Sequence, residues 1–216
     1  IVGSLNIDLV VRTAHLPTPG QTVRGSDFGT YPGGKGANQA VAAARLAPES
    51  ITVHMAGRVG QDEFGATLLQ SLSESGVDVG QVQAVPGPTG NAMIAVEESS
   101  ENFIIISAGA NGTLTAADMD SIAPLLQEAD ALLLQLEIPL PAIERAAAIA
   151  AEAGALVILN PAPAPEQPLP GQGRKRRRVG HRAVGDAHVA HRGGLEDHHH
   201  HVWAPPLRPV AQQLVG

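Results

Sequence analysis

Aliphatic positions along the chain fall into short runs with two periods. Ile1 to Val11 is β-branched and aliphatic around a polar insert, Ser4-Leu5-Asn6-Ile7-Asp8, and reads as a strand with polar groups at its far end. Ala37 to Ala47 consists of strong helix formers, follows a glycine-rich loop and stops at Pro48, which predicts a helix. A strand is expected at Ile51 to Ala56 and a capped helix at Asp62 to Ser75, ended by Gly76. Asp118 to Glu128 reads as a helix, Ala131 to Leu136 as a buried strand, Pro139 to Ala153 as a helix opened by proline, and Ala155 to Leu159 as another buried strand. Strands alternating with helices predict an α/β fold, a parallel sheet with helices on both faces.

Two stretches break that rhythm. Thr22 to Thr30 and Gln81 to Ile106 alternate apolar with polar residues around "PGPTGN" and "ESSEN", as antiparallel strands with one wet face do. They predict a small β-sheet lid, spanning about 12–31 and 81–108, on a body that runs from 1 to 164.

Composition divides the chain at the same place. Residues 1–160 hold six Lys/Arg against 17 Asp/Glu, while 161–216 hold eight against four, with seven of the nine histidines. The second part has eight prolines, no Ser, Thr, Asn, Ile, Phe, Tyr or Met, and neither helical nor strand periodicity. It is expected to be a non-homologous tail, disordered or translated out of frame near Pro165. No apolar run approaches the roughly 20 residues of a spanning helix, and the start lacks the basic flank and cleavage site of a signal peptide, so a cytoplasmic protein with no membrane contact is expected. The missing initiator methionine suggests a fragment. Zero cysteines exclude disulfides, thiolate metal sites and a cysteine nucleophile.

The chemistry concentrates in "YPGGKGANQA", Tyr31 to Ala40, which contains Lys35, the only lysine of the first 160 residues. Gly33-Gly34-Lys35-Gly36 at a helix start would offer unblocked N–H groups and the positive end of a helix dipole to an anion or a hydroxyl-rich ligand, although glycine turns before helices are also common structural devices. The spacing is not that of a Walker A loop, since Gly36 follows Lys35. Asp8 and Glu137 stand where strands end, and in open parallel sheets ligands lie beyond the carboxyl ends of strands. Asp8 could instead cap a turn, and Glu137 could be a solvated strand end. Two carboxylates with the amides of Asn6 and Asn38 and one lysine would suit sugar hydroxyls, because each carboxylate accepts two O–H donors.

"GSLNID", "PTPGQTVRG", "PGGKGANQAVAAARL", "GRVGQDEFG", "TGNAMI", "ISAGAN", "LLLQLEIPL" and "VILNPAPA" come in an order and spacing that resembles the ribokinase-like (phosphofructokinase B type) carbohydrate kinase family, from Ile1 to about Ala164. The resemblance implies a ribokinase-like α/β domain with a β lid that also forms a homodimer contact. It implies ATP-dependent phosphorylation of D-ribose to D-ribose 5-phosphate, with Mg²⁺ and a monovalent cation such as K⁺. Carried over residue by residue, Asn6 and Asp8 would hold ribose hydroxyls, Gly34, Lys35 and Asn38 would line the sugar from loop and helix start, and Glu137 would contact it from the next wall. Within the family, a fructokinase or nucleoside kinase is the alternative, since sugar choice depends on pocket shape, and a non-catalytic sugar-binding fragment is the reading from another class.

After "NPAPA" the resemblance stops. The family's Asn-x-x-Glu motif and its Gly-Ala-Gly-Asp anion hole, whose aspartate is the general base, do not occur, so no catalytic residue is assigned. "VGDAH", with Asp186, does not fit the anion-hole pattern. The chain by itself is therefore expected to be inactive, with an open, aggregation-prone edge strand near Ala155 to Leu159. The basic run Arg174 to Arg178 lacks aromatic neighbours and reads as a solvated patch rather than a nucleic-acid site. His198 to His201 lack the spacing of a metal site, and no metal ligand is assigned.

Overall fold

The structure, a computed structural model, describes residues 1–99 and 101–164. The expected tail 165–216, with Arg174 to Arg178, Asp186 and His198 to His201, lies outside the described residues.

The first strand behaves differently from the single body strand read from the sequence. Its opening stretch, Ile1–Gly3, is extended between two body strands, β3 (Val53–Gly60) and β7 (Ala131–Leu134). Val2 N–H donates to Leu133 O, Gly3 N–H to Ala56 O, and Ala56 N–H to Ile1 O. β4 (Val77–Val85) pairs parallel with β3 on one side, and β8 (Leu156–Leu159) pairs parallel with β7 on the other. The body sheet is therefore parallel, and Ile1–Gly3 runs through its middle.

From Asn6 the same strand leaves the body and becomes β1 (Asn6–Thr13), which pairs antiparallel with β2 (Gly25–Gly33) and parallel with β5 (Gly90–Glu97). β6 (Asn102–Ser107) closes this second sheet, with order β2-β1-β5-β6. The lid is thus a mixed sheet that begins at Asn6 rather than near residue 12. Gln81 to Val85 belong to β4 of the body rather than to the lid, because their backbone partners are in β3. Side-chain period alone does not reveal which sheet a strand joins, and that is why both boundaries shift.

Helices cover both faces of the body. On one side α1 (Lys35–Leu46) and α2 (Glu63–Glu74) pack with Leu5, Ile7, Met55 and Val59 into one apolar cluster. On the other, α3 (Ala116–Ser121), α4 (Ala123–Glu128) and α5 (Leu140–Glu152) pack with Val2, Ala56, Leu132 and Leu134 into a second. α5 buries Ala142, Ile143, Ala146, Ile149 and Ala150, the spacing of one helical stripe. The single helix expected over Asp118 to Glu128 is two short ones that break at Ile122, with proline in the first turn of the second.

α2 is tied to the lid by its cap. Asp62 accepts from Gly65 N–H at 2.8 Å, as an N-cap should, and from the N–H and Oγ of Thr89, the residue before β5. These bonds hold the Asp62 carboxyl below its usual range even though burial opposes ionisation. β8 forms the described edge of the body sheet, and its Leu156, Ile158 and Leu159 are exposed. No helix among the described residues is long and apolar enough to cross a membrane.

Candidate functional site

The crossing point at Leu5 and Asn6 is also where α1 begins. Gly34 caps that helix with a φ of 90°, and a Cβ there would fall 2.7 Å from Asn6 N and 2.9 Å from Ser4 O. Only glycine fits both the backbone angle and the close approach. The N–H groups that open α1 are satisfied from within the protein. Lys35 N–H donates to Glu137 Oε2 at 2.9 Å, Gly36 N–H to Ser4 Oγ at 3.3 Å, and Ala37 N–H to Ser4 O at 3.0 Å. The expectation of unblocked N–H groups for a ligand is therefore corrected. The loop is bare so that helix and strand backbones can touch, and the positive end of the helix is matched by Glu137.

Glu137, just past β7, is nine-tenths buried and serves as a hub. Its Oε2 accepts from Ser4 Oγ at 2.6 Å as well as from Lys35 N–H, while its Oε1 lies 3.7 Å from Lys35 Nζ. The Lys35 side chain is about two-fifths exposed.

Asp8 reaches the same place from the lid. Its cross-strand neighbours are Tyr31, Ala92 and, one strand further, Ile106. Its carboxylate lies against Gly33, where a Cβ would overlap it. Burial pushes the Asp8 carboxyl above the usual aspartate range, the negative charge of Glu137 adds to that, and Lys35 opposes it. In this half-buried position ionised Asp8 weighs against the empty fold. Because the native state binds the proton more readily than the unfolded chain, stability from this group is greatest in acid and falls as pH rises through the raised value. Asp8→Asn is expected to raise the ligand-free melting temperature by a few degrees at pH 7, with the gain vanishing below the usual aspartate range. Melting curves at several pH values check this, and a gain that persisted in acid would contradict the account.

Asn6 shares its face of β1 with Asp8, two residues on. Its Oδ1 accepts from Asn111 Nδ2 at 2.7 Å, and both residues are buried. Asn38 sits in the first turn of α1, three residues from Lys35 and on the same side of the helix. It is exposed, lines a groove with Pro32, Val41 and Arg45, and its side chain bonds to none of the other site residues. Asn6, Asp8, Gly34, Lys35 and Glu137 thus converge, while Asn38, one turn on along α1, lines a groove that contains none of them.

Three buried polar residues escaped the sequence reading. Ser4 has no exposed surface and joins Glu137 to the helix start. Asn111, in the 3-10 turn Gly109–Thr113, holds the crossing point. Gln135 donates to Gln39 Oε1 of α1 at 2.5 Å, while its own buried Oε1 has no partner. A polar residue inside an otherwise aliphatic run was the one signal available, at Ser4 and Gln135.

The sequence matches the pfkB family of carbohydrate kinases over residues 1–171. The chain belongs to that family. The pfkB match ends a little past the Ala164 boundary expected from sequence. Ribokinase of Schizosaccharomyces pombe is 46% identical over 154 residues, which cover 69% of this chain and 48% of that protein. Among solved structures, ribokinase of Thermotoga maritima superposes with a TM-score of 0.68 at 36% identity, covering 76% of this chain and 52% of that one. Ribokinase of Arabidopsis thaliana, solved in complex with ribose and ATP, gives a TM-score of 0.64 at 34% identity, covering 73% and 51%. The chain spans about half the length of the curated relatives it matches.

Solved ribokinases include complexes with ATP and with ADP. Among the described residues of this chain no group of three or more His, Asp or Glu side chains is placed to bind a metal ion. The N–H groups at the start of α1 that could have cradled a phosphate are spent on Ser4 and Glu137. The described residues thus offer neither a carboxylate–imidazole cluster for Mg²⁺ nor free N–H groups at the start of α1 for a phosphate.

Proposed function

We propose that this chain carries the sugar-binding part of a ribokinase-type kinase, whose whole reaction is ATP-dependent phosphorylation of D-ribose to D-ribose 5-phosphate. The observation that supports it is the meeting of Asn6, Asp8, Lys35 and Glu137 where the lid strand leaves the body. In this reading residues 1–164 form the body with its lid, and the tail outside the family pattern begins only past the end of the pfkB match at residue 171.

Each group has a role that its surroundings permit. Asp8, whose carboxylate makes no hydrogen bond to the described residues, accepts two sugar hydroxyls. Lys35 donates to a third oxygen while its charge offsets the two carboxylates. Glu137 Oε2 is occupied by Ser4 and Lys35 N–H, so only its Oε1 faces the sugar. Gly34 shapes the wall, and Asn38 stands one turn further along α1, on the side of the groove. Closing the lid over the sugar would exclude water and orient the reacting hydroxyl, which is how positioning contributes to phosphoryl transfer.

The lid also presents an apolar row, Phe28, Val11, Ala95 and Phe103, beside Met93 and Ile105. Phe28 is 65% and Phe103 60% exposed, and burying this face against a second lid would give a homodimer.

Titration calorimetry of the 216-residue chain with D-ribose, followed by a coupled assay of ADP formation, tests the proposal. Saturable binding with negligible turnover is expected, because the sequence lacks a base and an anion hole, worth about 10²- to 10⁴-fold and 10²- to 10³-fold. Absence of binding would reject the sugar site. Ribose-dependent ADP formation above that of an Asp8→Ala control would reject the inactivity.

A further inference from the structure

The amides of Asn111 and Asn6 have a polarity that the backbone dictates. Leu5 N–H can only donate, and it lies 2.9 Å from Asn111 Oδ1. Leu5 O can only accept, and it lies 3.0 Å from Asn111 Nδ2. Those two bonds fix which end of the Asn111 amide is oxygen and which is nitrogen. The second hydrogen on Nδ2 then goes to Asn6, 2.7 Å away, so the Asn6 atom facing it must be the oxygen. Asn111 is 1% exposed, with its donors and its acceptor all engaged. The pair is closely packed from below, since a Cβ at Gly90 would overlap both amides. Asn6 is left with its Nδ2, which makes no hydrogen bond to the described residues.

We infer that Asn111 is a positioning residue that turns the Asn6 oxygen inward, so that Asn6 meets a ligand only as an N–H donor beside the acceptor Asp8. This rests on the sugar site proposed above. It makes the wall directional: Asn6 addresses a lone pair on a sugar oxygen, and Asp8, two residues along the same strand face, addresses a hydroxyl proton. A ligand with an oxygen able both to accept and to donate satisfies the pair, whereas a ligand without that oxygen leaves a buried amide unpaired, which is how hydrogen-bonding sites discriminate.

Asn111→Asp keeps the shape and replaces the Nδ2 donor by an oxygen, which would face Leu5 O and Asn6 Oδ1. Relief comes from turning the Asn6 amide over, so that its N–H group points inward and its oxygen meets the ligand.

Side-chain amide spectra of the ¹⁵N-labelled, ligand-free 216-residue chain test the polarity without any sugar. Both Asn111 amide protons should exchange with solvent at least tenfold more slowly than those of an exposed asparagine, and the Asn6 amide pair should move in the Asn111→Asp spectrum. An Asn6 pair that stays in place overturns the inference. If that variant does not fold, the unsubstituted chain decides alone, and solvent exchange of the Asn111 protons at the exposed rate overturns it.

Calorimetry with D-ribose adds the functional arm. Asn111→Asp should weaken binding at least tenfold, and adding it to Asn6→Ala should cause no further loss, since the one residue acts through the other. Fully additive losses overturn the inference. Failure of the unsubstituted chain to bind D-ribose would reject the sugar site instead, and the spectra would still decide the role of Asn111.

Discussion

Glu137→Ala is expected to reduce D-ribose affinity below detection and to lower the stability of the ligand-free chain by about 3 kcal/mol, the sum expected for two charge-assisted hydrogen bonds. Truncation leaves Ser4 Oγ without its acceptor and Lys35 N–H, the first donor of α1, without a partner. It also removes the negative charge that compensates the helix end. Glu137→Gln separates these effects. Its amide oxygen can still accept from Ser4 and Lys35 N–H, so most of the stability should return, while the lost charge still weakens sugar binding through Lys35. Urea unfolding measures the first quantity and calorimetry the second. An alanine variant as stable as the parent would mean that Glu137 is a solvated strand end after all.

The second large effect comes from a residue with no side chain. Within a helix, glycine to alanine ordinarily stabilises by up to about 1 kcal/mol. At Gly36 the sign should reverse. A Cβ on this helical residue would fall 2.6 Å from Ser4 N and 2.7 Å from both Gly3 C and Ser4 O. All three are backbone atoms of the strand at the centre of the body sheet, where a rotamer change cannot make room. Either α1 moves away, breaking the bonds from Gly36 and Ala37 to Ser4, or the crossing point shifts and takes Asn6 with it. Overpacking of this kind costs about 1–3 kcal/mol, and the broken bonds bring the expected loss to about 3 kcal/mol. Denaturant unfolding of Gly36→Ala measures it, and a stabilised variant would show that helix and strand are not in contact.

These two residues also show what the sequence made legible. The body was readable where one residue carries a local instruction: Asp62 opens α2 through its own cap, and the stripe Ala142, Ile143, Ala146, Ile149 declares α5. It was unreadable where the decision is made by distant partners. Nothing in Ile1 to Val11 states that it changes sheets at Asn6, because the change is set by β2 and β5 pairing with its second half. The glycines before α1 signalled a close approach, but not whether it would be to a ligand or to Ser4. Asp8, Lys35 and Glu137, which the structure brings close together, were singled out by their types and positions. Ser4 and Asn111 were not, since each works by bridging segments far apart in sequence, 133 residues in one case and 105 or 106 in the other.

A strand that belongs to two sheets is also a lever. Ile1–Gly3 is held on both sides, by β3 and by β7, and the chain runs on through Ser4 and Leu5 into β1 of the lid. Any rocking of the lid would bear on the crossing point at Leu5, with the body's central strand as the fixed arm. The amides of Val2 and Gly3, though far from the lid's rim, would sense its movement as a change in their protection from deuterium exchange.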